Sequence, residues 1–238
     1  LCAVNRPAQQ SGILYRNDYI ILCNPAPIFD RHFTIVSLEH QPQEITSSLS
    51  WLLQLAADAS PDYTVFYNGP ACGASAPDHL HFQMIPANAL PYLRESKHLP
   101  PVKPSVSIRY NFEKEIDRSA IVLASKNNKA LQMRFQRLLT IFKKKLGIND
   151  EPPINILCSY DEECWTLTVF LRRKHRPDAY FAEGEDRIFI SPGAIDMAGV
   201  VITPRLMDYE RLDCSVLRDI YREVSLDQET LHEIMKAI

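Results

Sequence analysis

The sequence is poor in glycine, in long apolar runs and in net charge. It has 238 residues with only 7 glycines against 17 prolines, so each glycine inside a motif is informative. No apolar run approaches the ~20 residues that cross a bilayer, and we expect no membrane partner. A net charge of −3 gives no reason to expect polymeric nucleic acid as a partner. The composition, 46% hydrophobic and 23% charged, is typical of globular proteins and not of disordered or fibrous ones.

The spacing of a disulfide framework is also missing. Six cysteines are scattered along the chain: Cys2, Cys23, Cys72, Cys158, Cys164 and Cys214. We expect no secretory segment before the fold. We therefore predict a reduced, cytoplasmic protein whose cysteines are mostly buried thiols. The first residue is Leu1 and not Met, so we expect an N-terminal segment to lie outside this numbering.

The apolar periodicity predicts the order strand, strand, helix, strand, strand twice along the chain. The first set has a helix from about Thr46 to before Pro61 and strands at Tyr19–Cys23, His32–Ser37, Tyr63–Asn68 and His79–Ile85. The second set has a helix at Asn128–Leu146 and strands at Ser105–Tyr110, Ala120–Ala124, Ile154–Tyr160 and Trp165–Arg172. This repetition favours an α+β fold of two tandem half-units, each an antiparallel sheet with a packed helix.

A proline-rich stretch separates the two sets. Residues 87–104 contain four prolines that interrupt regular structure: Pro91, Pro100, Pro101 and Pro104. We therefore predict a first half over residues 1–90, a connector over residues 91–104 and a second half over residues 105–238. The end of the second half, Asp208–Ile238, is predicted to be helical, with caps at Ser215 and Asp227.

Two basic runs have simple structural interpretations. The run Lys143–Lys145 ends a predicted helix, where cations interact favourably with the helix dipole. The run Arg172–Arg176 follows a strand, and we favour a solvated loop there over the alternative of a phosphate-binding loop.

The segment His79-Leu-His-Phe-Gln83 carries the most chemical information. On a strand, successive side chains alternate faces, so His79, His81 and Gln83 share one face while Leu80, Phe82 and Met84 face the core. Burying three such polar groups without partners costs about 1–3 kcal/mol each. The polar face is therefore expected to be an open site, a metal site or a satisfied network, with two solvent-exposed histidines as the simplest alternative.

A loop of small residues precedes this strand. Two of the seven glycines, Gly69 and Gly73, lie in it together with Ala74 and Ser75, so backbone N–H groups can approach an anion. Asn68 ends the preceding strand and can hold the loop through hydrogen bonds to its backbone. A neutral imidazole beside an anion-binding loop can attack phosphorus, which makes this segment a candidate nucleotide site.

The combination of Asn68, the small-residue loop and Pro77-x-His79-x-His81-x-Gln83 resembles the signature of the galactose-1-phosphate uridylyltransferase branch of the histidine-triad (HIT-like) superfamily. That branch also contains GDP-hexose phosphorylases and diadenosine tetraphosphate phosphorylases, and it has Gln in place of the third His. The resemblance covers most of residues 1–86 clearly and the second half weakly. It implies an α+β fold of two tandem HIT-like half-units.

The resemblance also implies roles for individual residues. His81 matches the nucleophile that forms a covalent nucleotidyl-histidine, and Gln83 matches the residue that binds the transferred phosphoryl group. Asn68, Gly73, Ala74 and Ser75 match residues around the phosphates. In the second half, Asp196 lies in a segment that faintly resembles a sugar-contacting one. The second-half strand that corresponds to His79–Ile85 has no histidine, so only the first half is expected to perform covalent chemistry.

A structural zinc site is a further implication of the resemblance. Cys2, His40 and His79 match three of its four ligands, and the fourth, a cysteine three positions before Cys2, would lie outside this chain. The alternative is a free thiol at Cys2 and an ordinary helix-start residue at His40.

Together these features predict a hexose-1-phosphate uridylyltransferase-like nucleotidyltransferase that works through a covalent nucleotidyl-histidine. A GDP-hexose or dinucleoside polyphosphate phosphorylase is the main alternative. A non-catalytic nucleotide-binding protein and a nucleotide hydrolase stay open as well. The expected partner is a nucleotide or nucleotide sugar, and the resemblance suggests a homodimer.

Overall fold

The computed structural model describes residues 1–2, 5–96 and 106–238. Nine strands lie within these ranges: β1 (Gly12–Tyr15), β2 (Tyr19–Cys23), β3 (Phe33–Ser37), β4 (Tyr63–Asn68), β5 (His81–Pro86), β6 (Ser107–Glu113), β7 (Arg118–Ser125), β8 (Ile154–Asp161) and β9 (Cys164–Leu171). They form one sheet in the order β1-β2-β3-β5-β4-β8-β9-β7-β6. Every pair of neighbours in it is antiparallel.

Seven α-helices accompany the sheet in the described ranges: α1 (Ile45–Ala59), α2 (Pro91–Ser96), α3 (Asn128–Leu146), α4 (Ala194–Met197), α5 (Leu206–Arg211), α6 (Cys214–Val224) and α7 (Gln228–Ala237). None of the helices in this part of the chain has the length and apolar character that spanning a membrane requires. The lysines Lys143–Lys145 form the last turn of α3, as predicted.

The two halves of the sheet repeat one strand order. In the first half, α1 follows β2 and β3 and precedes β4 and β5, and these strands lie in the sheet in the order β2-β3-β5-β4. In the second half, α3 follows β6 and β7 and precedes β8 and β9, and the corresponding order is β6-β7-β9-β8. The halves meet where β4 pairs with β8, from Val65 opposite Cys158 to Asn68 opposite Asn155. This confirms the α+β fold of two tandem half-units. The boundaries at residues 1–90, 91–104 and 105–238 stay our proposal, and most of the connector, residues 97–104, lies outside the described residues.

Several local predictions differ from the structure. Strand β1 was not predicted, because its exposed apolar residues Ile13 and Leu14 show no alternation with polar ones. Strand β5 begins at His81 and not at His79. Helix α6 is capped by Asp213, whose side chain accepts from the Val216 N–H, and not by Ser215. The cap at Asp227 is confirmed.

The alternation along β5 decides which residues face each side of the sheet. Leu80, Phe82 and Met84 are buried in the core beneath α1 and α3, as the period of two predicts. A second core on the opposite side joins residues of α2, α4 and α6 to the sheet. His81 and Gln83 therefore point away from α1 and α3, toward the side that the C-terminal segments cover.

Glu151 in the second half caps helix α1 of the first half. Its Oε2 accepts from the Ile45 N–H at 2.6 Å, and its Oε1 accepts from the Tyr67 hydroxyl at 2.6 Å. Thr46 and Ser47 could have capped this helix by their sequence, but the helix begins at Ile45 and its N-cap residue, Glu44, makes no side-chain hydrogen bond. Burial raises the pKa of Glu151 to about 7, although both hydrogen bonds oppose this rise.

We expect Glu151 to contribute stability that is lost as pH rises from about 5 to about 8, and Glu151→Gln to lack this contribution. The folded pKa lies above the unfolded value of 4.5, so the folded state holds this proton more tightly and its stabilisation is lost as pH passes through the folded pKa. The neighbouring charges are Glu44, which raises the pKa, and Lys143, which lowers it. Urea unfolding at both pH values measures the effect, which is at most roughly 3 kcal/mol.

The exposed neighbour Asp150 supplies the control for this experiment. Asp150→Asn is expected to keep the pH dependence of the parent protein. Asp196, whose pKa burial raises to about 6, contributes with the same sign. Three histidines whose pKa values burial lowers contribute with the opposite sign: His32, His81 and His175. These contributions are common to the parent protein and to Glu151→Gln, so the difference between the two pH profiles isolates Glu151. An unchanged slope in Glu151→Gln would contradict the assignment to Glu151.

Candidate active site

His81 is held with one ring nitrogen paired and the other free. It is 2% exposed, and its Nδ1 lies 2.9 Å from the backbone oxygen of His79. Because a carbonyl oxygen only accepts, Nδ1 carries the proton and Nε2 carries a lone pair. Among the described residues, Nε2 is buried without a hydrogen-bond partner. Burial lowers the pKa of His81. The ring is thus oriented as a nucleophile requires.

Gln43 fixes the backbone around His81. Its Oε1 accepts from the His81 N–H at 2.8 Å, and its Nε2 donates to the His81 oxygen at 3.0 Å and to the Asn68 oxygen at 2.9 Å. Gln43 lies in the segment that connects β3 to α1, and its side chain is buried. It links the end of β4 to the start of β5. Sequence reasoning missed Gln43, since no local pattern distinguishes it from other polar residues before a helix.

Gln83 is oriented by two side chains that the sequence did not single out. Its Oε1 accepts from His32 Nε2 at 2.8 Å and from Asn24 Nδ2 at 3.2 Å. His32 Nδ1 in turn accepts from the Ile28 N–H at 3.2 Å, which fixes its tautomer. Because both contacts use the oxygen of Gln83, its amide N–H groups are left to donate to another group on the His81 face.

Asn68 lies beside His81 on the neighbouring strand. The pairing of β4 with β5 ends at Phe66 opposite Gln83, and beyond it Gln43 bridges Asn68 and His81 by donating to both backbone oxygens. The Asn68 Oδ1 accepts from Asn155 Nδ2 and from the Ala194 N–H, both at 2.8 Å. Asn68 therefore connects the first half to segments of the second half, a role beyond that of holding its own loop.

The small-residue loop packs closely against this asparagine. Gly73 has φ +106°, and a methyl group there would lie 3.2 Å from the Cα of Gly193. The Ala74 N–H donates to the Gly69 oxygen at 3.3 Å, while Ser75 is exposed at the rim of the loop. Glycine is thus required at position 73 by both its backbone conformation and its close contact.

Arg172 is a buried hub behind Asn68. All five of its N–H groups donate to oxygen atoms: those of Val224, Asn155, Pro192, Lys174 and His175. Asn155 passes the connection on to Asn68 and to the Cys72 oxygen. The predicted solvated loop is therefore wrong for Arg172, which is fully buried and joins the loops around residues 72, 175 and 192.

Asp196, unlike the other predicted site residues, uses both of its carboxylate oxygens to bind backbone N–H groups of the second half. Its Oδ2 accepts from the Gly193 N–H and its Oδ1 accepts from the Ile202 N–H, both at 2.9 Å. Both carboxylate oxygens are thus bound to backbone at the start of α4, and the residue is 5% exposed. The geometry gives Asp196 a structural contact with the segment that touches Asn68.

Cys2, His40 and His79 form a second cluster behind His81. The Cys2 Sγ lies 3.2 Å from His40 Nδ1 and 3.4 Å from His79 Nδ1, and the three candidate ligand atoms lie within 4.8 Å of one another. His79 Nε2 lies 2.8 Å from the Ser37 oxygen and donates to it, so the free Nδ1 faces Cys2. The residues predicted to hold a metal are thus brought together.

Solved structures share this fold. The yeast Ap4A phosphorylase Apa2 in complex with AMP matches with a TM-score of 0.61 and 17% identity over 88% of this chain and 73% of that chain. The same enzyme in complex with Ap4A matches with a TM-score of 0.58 and 16% identity over 88% and 74%. The chain therefore shares the fold of these solved structures, in agreement with the α+β fold of two half-units that the resemblance implies.

Sequence comparison adds one further match. Residues 1–86 match the family described as a domain of unknown function, DUF4922. This range contains the loop, His79, His81 and Gln83. No curated protein matches the chain.

Proposed function

We propose that the protein is a nucleotidyltransferase that forms a covalent nucleotidyl-histidine at His81. The observation that carries this proposal is the orientation of the His81 ring, with Nδ1 bound to a backbone carbonyl and Nε2 without a partner among the described residues. A ring held in this way needs no rearrangement before attack. Within this class we favour a phosphorylase over a hexose-1-phosphate uridylyltransferase, because the similar solved structures are of an Ap4A phosphorylase.

The proposed reaction has two displacements at the α-phosphorus. In the first, the Nε2 lone pair of His81 forms a bond to phosphorus, and the bond from phosphorus to the bridging oxygen breaks with that oxygen keeping the electron pair. In the second, an oxygen of the acceptor phosphate attacks phosphorus and the bond to Nε2 breaks, which restores the ring. Gln83 donates an N–H to a phosphoryl oxygen, and the His79 carbonyl stabilises the positive charge on the substituted ring.

Intact-mass measurement with a panel of donors tests the proposal. The protein is incubated with diadenosine tetraphosphate, ADP-glucose, GDP-hexose or UDP-glucose, and we expect at least one donor to add one nucleoside monophosphate. Phosphate as the preferred acceptor supports a phosphorylase, whereas hexose 1-phosphate supports the uridylyltransferase alternative. Absence of adduct and turnover with every donor would contradict the proposal. Monophosphate release with water as the sole acceptor would indicate a hydrolase instead.

We also propose that Cys2, His40 and His79 bind zinc as a structural ion. The set of one thiolate and two imidazoles suits Zn²⁺, and the hydrogen bond from His79 Nε2 to the Ser37 oxygen orients that ligand. The ion would link Cys2 in the N-terminal segment to His40, which follows β3, and to His79, which precedes β5. His79 would then anchor the carbonyl that His81 uses, since His79 supplies both.

Removal of one zinc ligand is expected to remove the metal. Cys2→Ser should lower zinc affinity by about tenfold or more, because a hydroxyl is a far weaker ligand than a thiolate. Zinc content per chain is measured by elemental mass spectrometry after dialysis. Cys214→Ser, at an exposed cysteine, is the control and should retain the metal. Wild-type protein that takes up no zinc when it is supplied would contradict the assignment.

The remaining expectations about setting stay proposals that rest on the sequence. The cytoplasm is the compartment that we infer from the scattered cysteines. A homodimer is suggested by the resemblance alone. We propose a nucleotide or nucleotide sugar as the substrate, and the AMP and Ap4A complexes of the similar structures support this assignment.

A further inference from the structure

The side-chain amide of Gln43 fills the place where the pairing between β4 and β5 stops. The last pair of that ladder is Phe66 opposite Gln83. Beyond it, Gln43 Oε1 accepts from the His81 N–H at 2.8 Å, and Gln43 Nε2 donates to the His81 oxygen at 3.0 Å. The same Nε2 donates to the Asn68 oxygen at 2.9 Å. The amide therefore takes the place of main-chain hydrogen bonds that would join the two strands directly.

Both backbone polar groups of His81 point toward β4 and not toward β3. In an antiparallel sheet, the N–H and C=O of one residue point to the same neighbouring strand, and those of the next residue point to the other. Leu80 uses the β3 side, since its N–H donates to the Gln41 oxygen at 2.7 Å and its oxygen accepts from the Ser37 N–H at 3.0 Å. His81 therefore presents its N–H and C=O on the β4 side, where Gln43 binds both.

Gln43 also contacts the two ends of the small-residue loop. Its backbone N–H donates to the Pro77 oxygen at 3.2 Å, near the end of the loop, and its side chain binds the Asn68 oxygen at the start. Gln43 itself is buried and lies two residues before Ile45, whose N–H donates to Glu151 at 2.6 Å. One anchored residue thus joins both ends of the loop to the backbone of the nucleophile.

The loop has anchors of its own in the second half-unit. The Gly69 N–H and the Cys72 thiol both donate to the Ile154 oxygen, at 2.9 and 2.8 Å. Because these contacts do not involve Gln43, we expect the loop to keep its conformation when the Gln43 amide is lost. The quantity that depends on this amide is the distance of the loop from His81.

We propose that Gln43 is a positioning residue that sets the distance between the His81 nucleophile and the loop that binds the phosphates. The inference rests on the proposed function and adds a residue that acts on the reaction through His81. Attack requires Nε2 to lie about 3–3.5 Å from phosphorus, and a displacement of about 1 Å can slow the step by about 10²-fold. Without the amide, β4 and β5 are free to pair directly or to separate, and either change moves His81 relative to a bound phosphate.

Gln43→Met tests the proposal, because methionine has nearly the volume of glutamine but no amide to make the three side-chain hydrogen bonds. Adenosine 5′-phosphorimidazolide, with the guanosine and uridine analogues in parallel, transfers its nucleoside monophosphate to His81 as imidazole leaves, and intact mass follows this loading. We expect the maximal loading rate to fall by at least about tenfold and the half-saturating concentration to change by less than about threefold. A merely structural role would lower the fraction of active chains and not the rate constant of each active chain.

Two further variants make the test specific. Gln41→Met is the matched control, since Gln41 lies in the same segment and its side chain donates to the Ser37 hydroxyl, and it should load as the wild type. Gln43→Glu decides the matter if Gln43→Met does not fold. Its carboxyl group keeps an acceptor for the His81 N–H but can donate to at most one of the two backbone oxygens, so its maximal loading rate should fall by a smaller factor.

The outcomes distinguish this inference from the proposed function. Equal maximal loading rates in the wild type, Gln43→Met and Gln43→Glu would overturn the positioning role and leave the nucleotidyl-histidine in place. A raised half-saturating concentration with an unchanged maximal rate would also overturn it, because Gln43 would then act on nucleotide binding. A wild type that is loaded by no phosphorimidazolide and no natural donor overturns the proposed function and, with it, this inference.

Discussion

His81→Asn is expected to abolish the covalent adduct and to lower turnover by at least about 10³-fold. Asparagine has an amide nitrogen close to the position of Nδ1, so it can still donate to the His79 oxygen and keep the start of β5 in place. It has no atom at the position of Nε2 and therefore no lone pair to attack phosphorus. The change removes the nucleophile with little effect on the surrounding hydrogen bonds.

Nucleotide binding is the second measurement on this variant. Calorimetry should show that His81→Asn still binds nucleoside monophosphate, because Asn68, Gln83 and the loop are unaltered. His232→Asn, at an exposed histidine of α7, is the matched control and should keep the adduct. An adduct that persists in His81→Asn would place the nucleophile elsewhere. Nucleotide binding without turnover in both the wild type and the variant would favour the non-catalytic alternative.

Arg172→Met is expected to give the largest loss of stability, about 3–5 kcal/mol. The Arg172 side chain is 0% exposed, and its five N–H groups serve five oxygen atoms that come from four separate segments. Methionine fills much of the volume but donates to none of them, and each buried acceptor left unpaired costs about 1–3 kcal/mol. Some of these acceptors can move to reach solvent, so the expected loss of stability is smaller than the sum of five full penalties.

The same change should disturb the site from a distance. Asn155 loses the donor to its Oδ1, and Asn155 is the residue that donates to Asn68. Urea unfolding measures the stability, and intact-mass detection of the nucleotidyl adduct below the unfolding transition measures the site. Arg173→Met, at the exposed neighbour, should change stability by less than about 0.5 kcal/mol. A loss of less than about 1 kcal/mol in Arg172→Met would contradict the hub assignment.

The sequence predicted those parts of the molecule that depend on near neighbours in the chain. The period of two along His79–Ile85 identified the core residues Leu80, Phe82 and Met84, because strand geometry alone fixes which face they share. The order of elements predicted two half-units for the same reason. The grouping of Cys2, His40 and His79 came from the resemblance to a known branch, and the structure brings these residues together.

The residues that sequence reasoning missed act across long separations. Gln43, His32 and Asn24 are ordinary polar residues in their local context, and each gains its role from a partner more than 30 positions away. Arg172 seemed to begin a solvated basic run, since four of the five residues from 172 to 176 are basic. Its burial follows from the convergence of loops that no local pattern encodes.

Two of the few glycines also show which features follow from the sequence and which depend on the tertiary structure. The sequence by itself determined that Gly73 lies in a loop before His79 and that backbone could approach an anion there. Only the tertiary structure decided that Gly73 and Gly193 meet over Asn68, because this contact joins the two half-units. Strand alternation is a property of consecutive residues, whereas the pairing of β4 with β8 that brings these loops together depends on the packing of the whole sheet.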